Sequence, residues 1–467
     1  MIEIKDINPL LIDAKYAVRG EIVLKAEELQ KQGCKIIYCN IGNPHTFKQK
    51  PLTYVREILS LIEYPDLIDN ANKLDIYKSD SIEKAKYILA QIPEGVGAYT
   101  STAGIEFVRH AIAKFITLRD SIPANMDYIT LTDGASEGAK AIILALIKNV
   151  NDGIMVPIPQ YPLYNASLTL NGGKSIGYYL DEDNNWQLNR ESLEESYHHA
   201  ISLGINPVAI TVINPGNPTG AVLSYENIEM VINFALKYNL VIIADEVYQD
   251  NIYSSKRQFH SFAKVLYNMN CNEISLFSLH SMSKGYFGEC GHRSGYIESR
   301  NISAAVRAVF IKLQSINLCA NAMGQVATYL MVSPPVVGEP GYPQYIQEKS
   351  TILQDLAEKA NIIGTELNKI KGIKVNIPEG AMYAFVKINL PQELVDSYKG
   401  DVPLDQYYCL RLLEETHVCV VPGSGFGQIP NTLHFRTTFL PPKEQILEFI
   451  QKLKVFHEKF ISAACII

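Results

Sequence analysis

Short β-branched runs recur through the middle of the chain, each followed by a turn and then by apolar residues at helical spacing. They occupy residues 128–131, 154–158, 208–213, 240–244, 274–279 and 295–297. Each is too short for a buried helix and reads as a buried strand, so the alternation predicts a mainly parallel sheet covered by helices. Between the third and fourth runs, Ile228, Val231, Ile232, Ala235 and Leu236 keep a helical period, with Ser224 placed as an N-cap. After Ala304 the pattern turns helical, and the Pro- and Gly-rich stretch 333–343 predicts a break. A smaller domain should follow, with strands at 382–388 and 432–436. The first hundred residues carry an amphipathic helix (Ile22, Val23, Ala26, Leu29) without a strand-helix rhythm, and are expected to pack with the C-terminal part. The division expected is 1–95 as an N-terminal arm and part of the small domain, 96–332 as the large ligand-binding domain, and 333–467 as the small C-terminal domain.

A chain of 467 residues with 47% hydrophobic content suits two or more domains. Its 42 basic and 49 acidic residues give a net charge of -7 with no basic block, which disfavours nucleic-acid binding. No apolar run approaches the roughly 20 residues that cross a bilayer, and residues 1–20 lack the pattern of a signal peptide. The eight cysteines contain no C-x-x-C pair and read as reduced thiols, and Cys465 is one place too late for a prenylation signal. Together these predict a cytoplasmic protein without a membrane partner.

In open α/β sheets ligands bind beyond the carboxyl ends of the strands, so the residues after each run carry the chemistry. Residues 128–131 lead into Thr132, Asp133, Gly134, Ala135 and Ser136, small residues that open a helix and offer free N–H groups to a phosphate. Alone this is equally a structural turn. Residues 208–213 run into N-P-G-N-P-T-G at 214–220, where Asn217 projects from a stiff turn. Residues 240–244 deliver Asp245, Glu246 and Tyr248; in isolation Asp245 reads as a turn cap. Residues 274–279 precede Ser281, Ser283 and Lys284, a Gly-rich loop and Arg293. Burial disfavours a lysine's charged form, which suits a Schiff-base amine, although a lone lysine is more often a solvated one. An Asp, a Tyr, an Asn, a Lys and a phosphate-sized turn at the ends of one sheet are not a coincidence.

The motifs N-P-G-N-P-T-G at 214–220, A-D-E-V-Y at 244–248 and S-M-S-K-G-Y-F-G-E-C-G-H-R-S-G-Y at 281–296 resemble, in order and spacing, the fold-type I aminotransferases of the aspartate aminotransferase superfamily. The resemblance covers nearly the whole chain. Within that family Y-A-V-R-G at 16–20, G-E-C-G-H-R at 288–293 and L-H-F-R-T-T at 433–438 are similar to alanine aminotransferases.

The resemblance implies an α/β fold with a mainly parallel seven-stranded sheet, a smaller α+β domain, pyridoxal 5'-phosphate as cofactor and a homodimer. It implies that Lys284 bonds to the cofactor aldehyde and later shuttles a proton. Asp245 matches the partner of the pyridine nitrogen, Tyr248 and Asn217 the pair on the ring's phenolic oxygen, and Tyr161 the aromatic stacked on its face. Ala135, Ser136, Ser281 and Arg293 match the phosphate site, and Tyr99 a tyrosine reaching it from a neighbouring subunit. Arg436, with Gly42 and Asn43 nearby, matches the clamp on the substrate α-carboxylate. The implied reaction is L-alanine with 2-oxoglutarate to pyruvate and L-glutamate, by a ping-pong route. Arg19 is a weak candidate for the distal carboxylate. Alternatives on the same scaffold are another aminotransferase, such as an alanine-glyoxylate type, or a carbon-sulfur lyase. A regulator would carry a nucleic-acid-binding segment and a nicotinamide enzyme a G-x-G-x-x-G after a strand; neither is visible.

Overall fold

The computed structural model describes residues 2–16 and 20–463; Arg19 and Cys465 lie outside them. The described strands are, in chain order, β1 (Ile37–Tyr38), β2 (Ile129–Thr132), β3 (Asp152–Ile158), β4 (Lys174–Tyr179), β5 (Asn206–Ile213), β6 (Val241–Asp245) and β7 (Leu276–Ser281). They continue with β8 (Gly295–Arg300), β9 (Ile373–Val375), β10 (Tyr383–Ile388), β11 (Val418–Cys419), β12 (Val421–Pro422) and β13 (His434–Thr438).

Seven of them form one sheet in the order β2-β8-β7-β6-β5-β3-β4. The pairs from β4 through β7 are parallel, and β8 runs antiparallel to both of its neighbours. The central strands β6 and β7 are buried on both faces, which is why they read as unbroken apolar runs. Ser224 caps the helix Tyr225–Tyr238 by accepting from Asn227 N, as the sequence predicts. A second sheet, β12-β13-β10-β9, and the short parallel pair β1-β11 lie outside the large sheet.

Ile22 and Ala26, on the helix Glu21–Lys31, belong to a core shared with Phe435, Phe449 and Leu453, so this helix packs with the C-terminal part as expected. The helix Thr53–Glu63 instead shares a core with Ile112, Leu131 and Tyr345. The 26-residue helix Tyr342–Leu367 joins the two regions, with Tyr345 in the second core and Leu356, Ala360 and Ile363 in the first. The seven described cysteines are free thiols, and no described helix is long and apolar enough to cross a membrane.

Candidate active site

The parallel strands end on one side of the large sheet, and the segments that follow them line a cavity of about 640 Å³. Beyond β2 the helix Ala135–Leu146 begins at Gly134, which has φ 82° and no capping side chain. The first amides of that helix are therefore free for an anion. Arg293 stands beside them in a left-handed conformation, φ 49°. Its Nη2 donates to Asp133 O at 2.9 Å and to Ser136 Oγ at 3.3 Å, and its Nη1 to Cys290 O at 3.2 Å. A Cβ on Gly134 would stand 2.4 Å from that Nη2, so a side chain there would push the guanidinium aside. Ser281, at the end of β7, donates to Ser294 O at 3.1 Å and also lines the cavity.

At the end of β6, Asp245 is buried with one oxygen unpaired. Its Oδ2 accepts from Tyr164 Oη at 2.8 Å, while Oδ1 has no hydrogen-bond partner. Burial pushes this carboxyl up to about 6, against the opposing pull of the Tyr164 hydroxyl, the Val247 amide and Lys284. Tyr248, three residues on, is also buried, and burial lifts its phenol well above the ordinary value. Lys284 Nζ donates to Gly42 O at 2.7 Å and lies 6.0 Å from the Tyr248 ring centroid.

Arg436 reaches the same cavity from β13 and is 1% exposed. Its Nη2 donates to Asn40 O at 2.6 Å and its Nη1 to Asn217 Oδ1 at 3.2 Å, leaving Nε unpaired. The Tyr383 and Phe426 rings flank the guanidinium at 4.2 and 4.7 Å. Tyr161 follows β3, and its hydroxyl lies 2.5 Å from that of Tyr16.

Thus Gly42, Ala135, Ser136, Tyr161, Asn217, Asp245, Tyr248, Ser281, Lys284, Arg293 and Arg436, all predicted from sequence, line one cavity. Tyr99 does not; it is 81% exposed. Sequence reasoning missed Tyr164, Asn40 and Tyr383. Tyr164 had a local signal, since it follows Tyr161 by three residues, in the first turn of the helix Leu163–Leu170. Tyr383 had only its place in a strand.

These residues fit pyridoxal phosphate. An unpaired buried carboxylate oxygen suits a protonated pyridine nitrogen, and a helix N-terminus beside a planar guanidinium suits a dianionic phosphate. Lys284, hydrogen-bonded to the Gly42 carbonyl, lines the same cavity.

Comparison with known proteins agrees. The family described as aminotransferase class I and II matches residues 66–453. A probable mitochondrial alanine aminotransferase of Dictyostelium discoideum is 47% identical over 96% of this chain and 88% of its own length. A glutamate-glyoxylate aminotransferase 2 of Arabidopsis thaliana is 44% identical over 99% of this chain and 97% of its own. The solved alanine aminotransferase of Pyrococcus furiosus has a TM-score of 0.78 at 27% identity, covering 97% of this chain and 100% of that one.

Proposed function

This chain belongs to the class I and II aminotransferases, and from that membership we propose that it moves the amino group of L-alanine to 2-oxoglutarate, giving pyruvate and L-glutamate in two half-reactions. The observation that carries the reading is the convergence of Lys284, the unpaired Asp245 Oδ1 and the buried Arg436 on one cavity. Val23, Leu24, Ile41 and Leu163 also line it, apolar walls that suit a methyl side chain. The 47% identity to a relative named for alanine supports the same substrate.

When bound, pyridoxal phosphate supplies an electrophilic aldehyde and a ring that takes up the electron pair released at the substrate Cα. The chain's residues do the remaining work. Arg436 pairs with the α-carboxylate through its planar fork, its orientation fixed by Asn40 and Asn217 and by the two flanking rings. Ionised Asp245 keeps the pyridine nitrogen protonated through Oδ1, while Tyr164 holds its other oxygen. Lys284, as a free amine, would take the proton from the substrate Cα and hand it on to the cofactor carbon that bore the aldehyde. Tyr248 and the amide of Asn217 would hold the ring's phenolic oxygen and Tyr161 would pack on its face. The Ala135 and Ser136 amides, Ser281 and Arg293 would hold the phosphate.

Comparison of kcat/KM for alanine, aspartate and glutamate as donors, with 2-oxoglutarate, pyruvate and glyoxylate as acceptors, tests the substrate. Alanine with 2-oxoglutarate should rank first. A preference for glyoxylate, or for aspartate over alanine, would leave the family standing and remove the alanine assignment.

The same reading makes the active unit a homodimer with Tyr99 serving the partner's site. Supporting it, the helix Ala304–Ile316 buries none of its residues and exposes Val306, Val309 and Ile316. Mixing Tyr99→Phe and Lys284→Ala proteins should restore one good site per mixed dimer. No recovery after subunit exchange would place the whole site in one chain. We also assign the protein to the cytoplasm, on composition and free thiols; an organellar signal on fractionation would overturn that.

A further inference from the structure

The Tyr383 hydroxyl has no role in the scheme above, although Tyr383 lines the cavity. It lies on β10, opposite Thr438 of β13, and is 3% exposed. Its ring lies against the Arg436 guanidinium and meets the Tyr248 ring edge-on at 6.1 Å. Phenylalanine would serve both ring contacts; the hydroxyl adds a hydrogen bond with Tyr248, and the chain makes further room for it. A Cβ on Gly42 would fall 1.8 Å from Tyr383 Oη and 3.4 Å from Lys284 Nζ. The phenol oxygen and the lysine nitrogen thus flank one point beside the Gly42 backbone, whose carbonyl already accepts from Lys284.

We propose that Tyr383 is a positioning residue for Lys284, its hydroxyl oxygen and the Gly42 carbonyl together stabilising the lysine nitrogen in its protonated form beside the carboxylate clamp. The inference rests on the reading of Lys284 as the cofactor-bonded lysine but not on the identity of the amino donor. Between removal of the Cα proton and its delivery to the cofactor, the Lys284 nitrogen would carry that proton, and two oxygens at its side lower the cost. The groups acting on the phenol are Lys284 and Cys290 from the loop after β7, Arg436 from β13 and Tyr248 from beyond β6. Burial pushes the phenol's pKa up, but Lys284, Arg436 and the hydrogen bond from Tyr248 outweigh burial and leave it below the ordinary phenol value. An oxygen biased toward negative charge is the acceptor an ammonium needs.

The test is Tyr383→Phe in the cofactor-loaded full-length enzyme, a change that deletes one oxygen and keeps the ring over Arg436. The readout is the pH titration of the absorbance band of the lysine-linked cofactor. Its midpoint should fall by at least about half a unit, roughly threefold in proton affinity. kcat should fall about 10- to 100-fold with KM for alanine changed less than about threefold, because the clamp is intact. An unmoved midpoint overturns the proposal whatever happens to kcat, since a merely structural role would not touch it. Absence of the lysine-linked band in the unmodified enzyme would instead overturn the reading of the site itself.

Discussion

With Oδ2 held by Tyr164 and Oδ1 unpaired, Asp245 binds a proton more tightly in the folded chain than in the unfolded one. Its folded value near 6 lies above the ordinary carboxyl value of 3.8, so the protonated form is the one folding favours. Its contribution to stability is fully present below about pH 4 and is lost as pH rises through about 6, a change on the order of 2–3 kcal/mol. A bound pyridinium reverses this by giving the ionised carboxylate a charged partner. The stabilisation conferred by cofactor, read as the difference in Tm between loaded and free protein, should therefore be larger at pH 7.5 than at pH 5. Glu246, raised by burial to about 7, does not line the cavity and should drop out of the difference. Asp245→Asn should flatten the dependence, and an equal Tm difference at both pH values in the unmodified protein would contradict the role. Asp245 was legible in the sequence because five apolar residues place it at a strand end. Its partner Tyr164 was not, because the side of the helix Leu163–Leu170 that turns beneath the sheet is decided by tertiary packing. Tyr383 was hidden for the same reason, since a tyrosine in an apolar strand looks like core until the other domain's lysine is beside it.

Strand ends are the elements that position the chemistry. Six runs of the large sheet could be read directly, since strands buried on both faces leave continuous apolar stretches. β4 could not: it is an edge strand whose residues Lys174, Ser175 and Tyr179 are exposed, and the seven-stranded count came only from the resemblance. β1, β11 and β12, of two residues each, are shorter than any period. The turn from β2 into the helix Ala135–Leu146 is where element geometry bears most directly on binding. Gly134→Ala would force a side chain into the left-handed region and against Arg293 Nη2. Loss of one charge-assisted contact to the phosphate, about 1.5–3 kcal/mol, should weaken cofactor binding roughly 10- to 100-fold. Fluorescence titration of cofactor into the free protein checks this, and an unchanged affinity would show that Arg293 is not held there for the phosphate.

At the scale of the whole molecule, two regions that sequence reading separates at the Pro- and Gly-rich stretch are bridged by one long helix, Tyr342–Leu367. The cavity takes Lys284 and Asp245 from the large sheet and Arg436 and Tyr383 from the smaller one, so on the proposed roles cofactor chemistry and carboxylate recognition meet between them. No local pattern announces that meeting; the resemblance supplied it, and the coordinates give its geometry. The most direct test follows a single turnover. Cofactor-loaded enzyme mixed with L-alanine alone should release about one pyruvate per site as the lysine-linked absorbance band disappears, because the amino group stays on the cofactor until an oxo acid arrives. Borohydride added before alanine should fix the cofactor on the peptide bearing Lys284 and block the reaction. No pyruvate without an acceptor, or a cofactor fixed to any other lysine, would contradict the account.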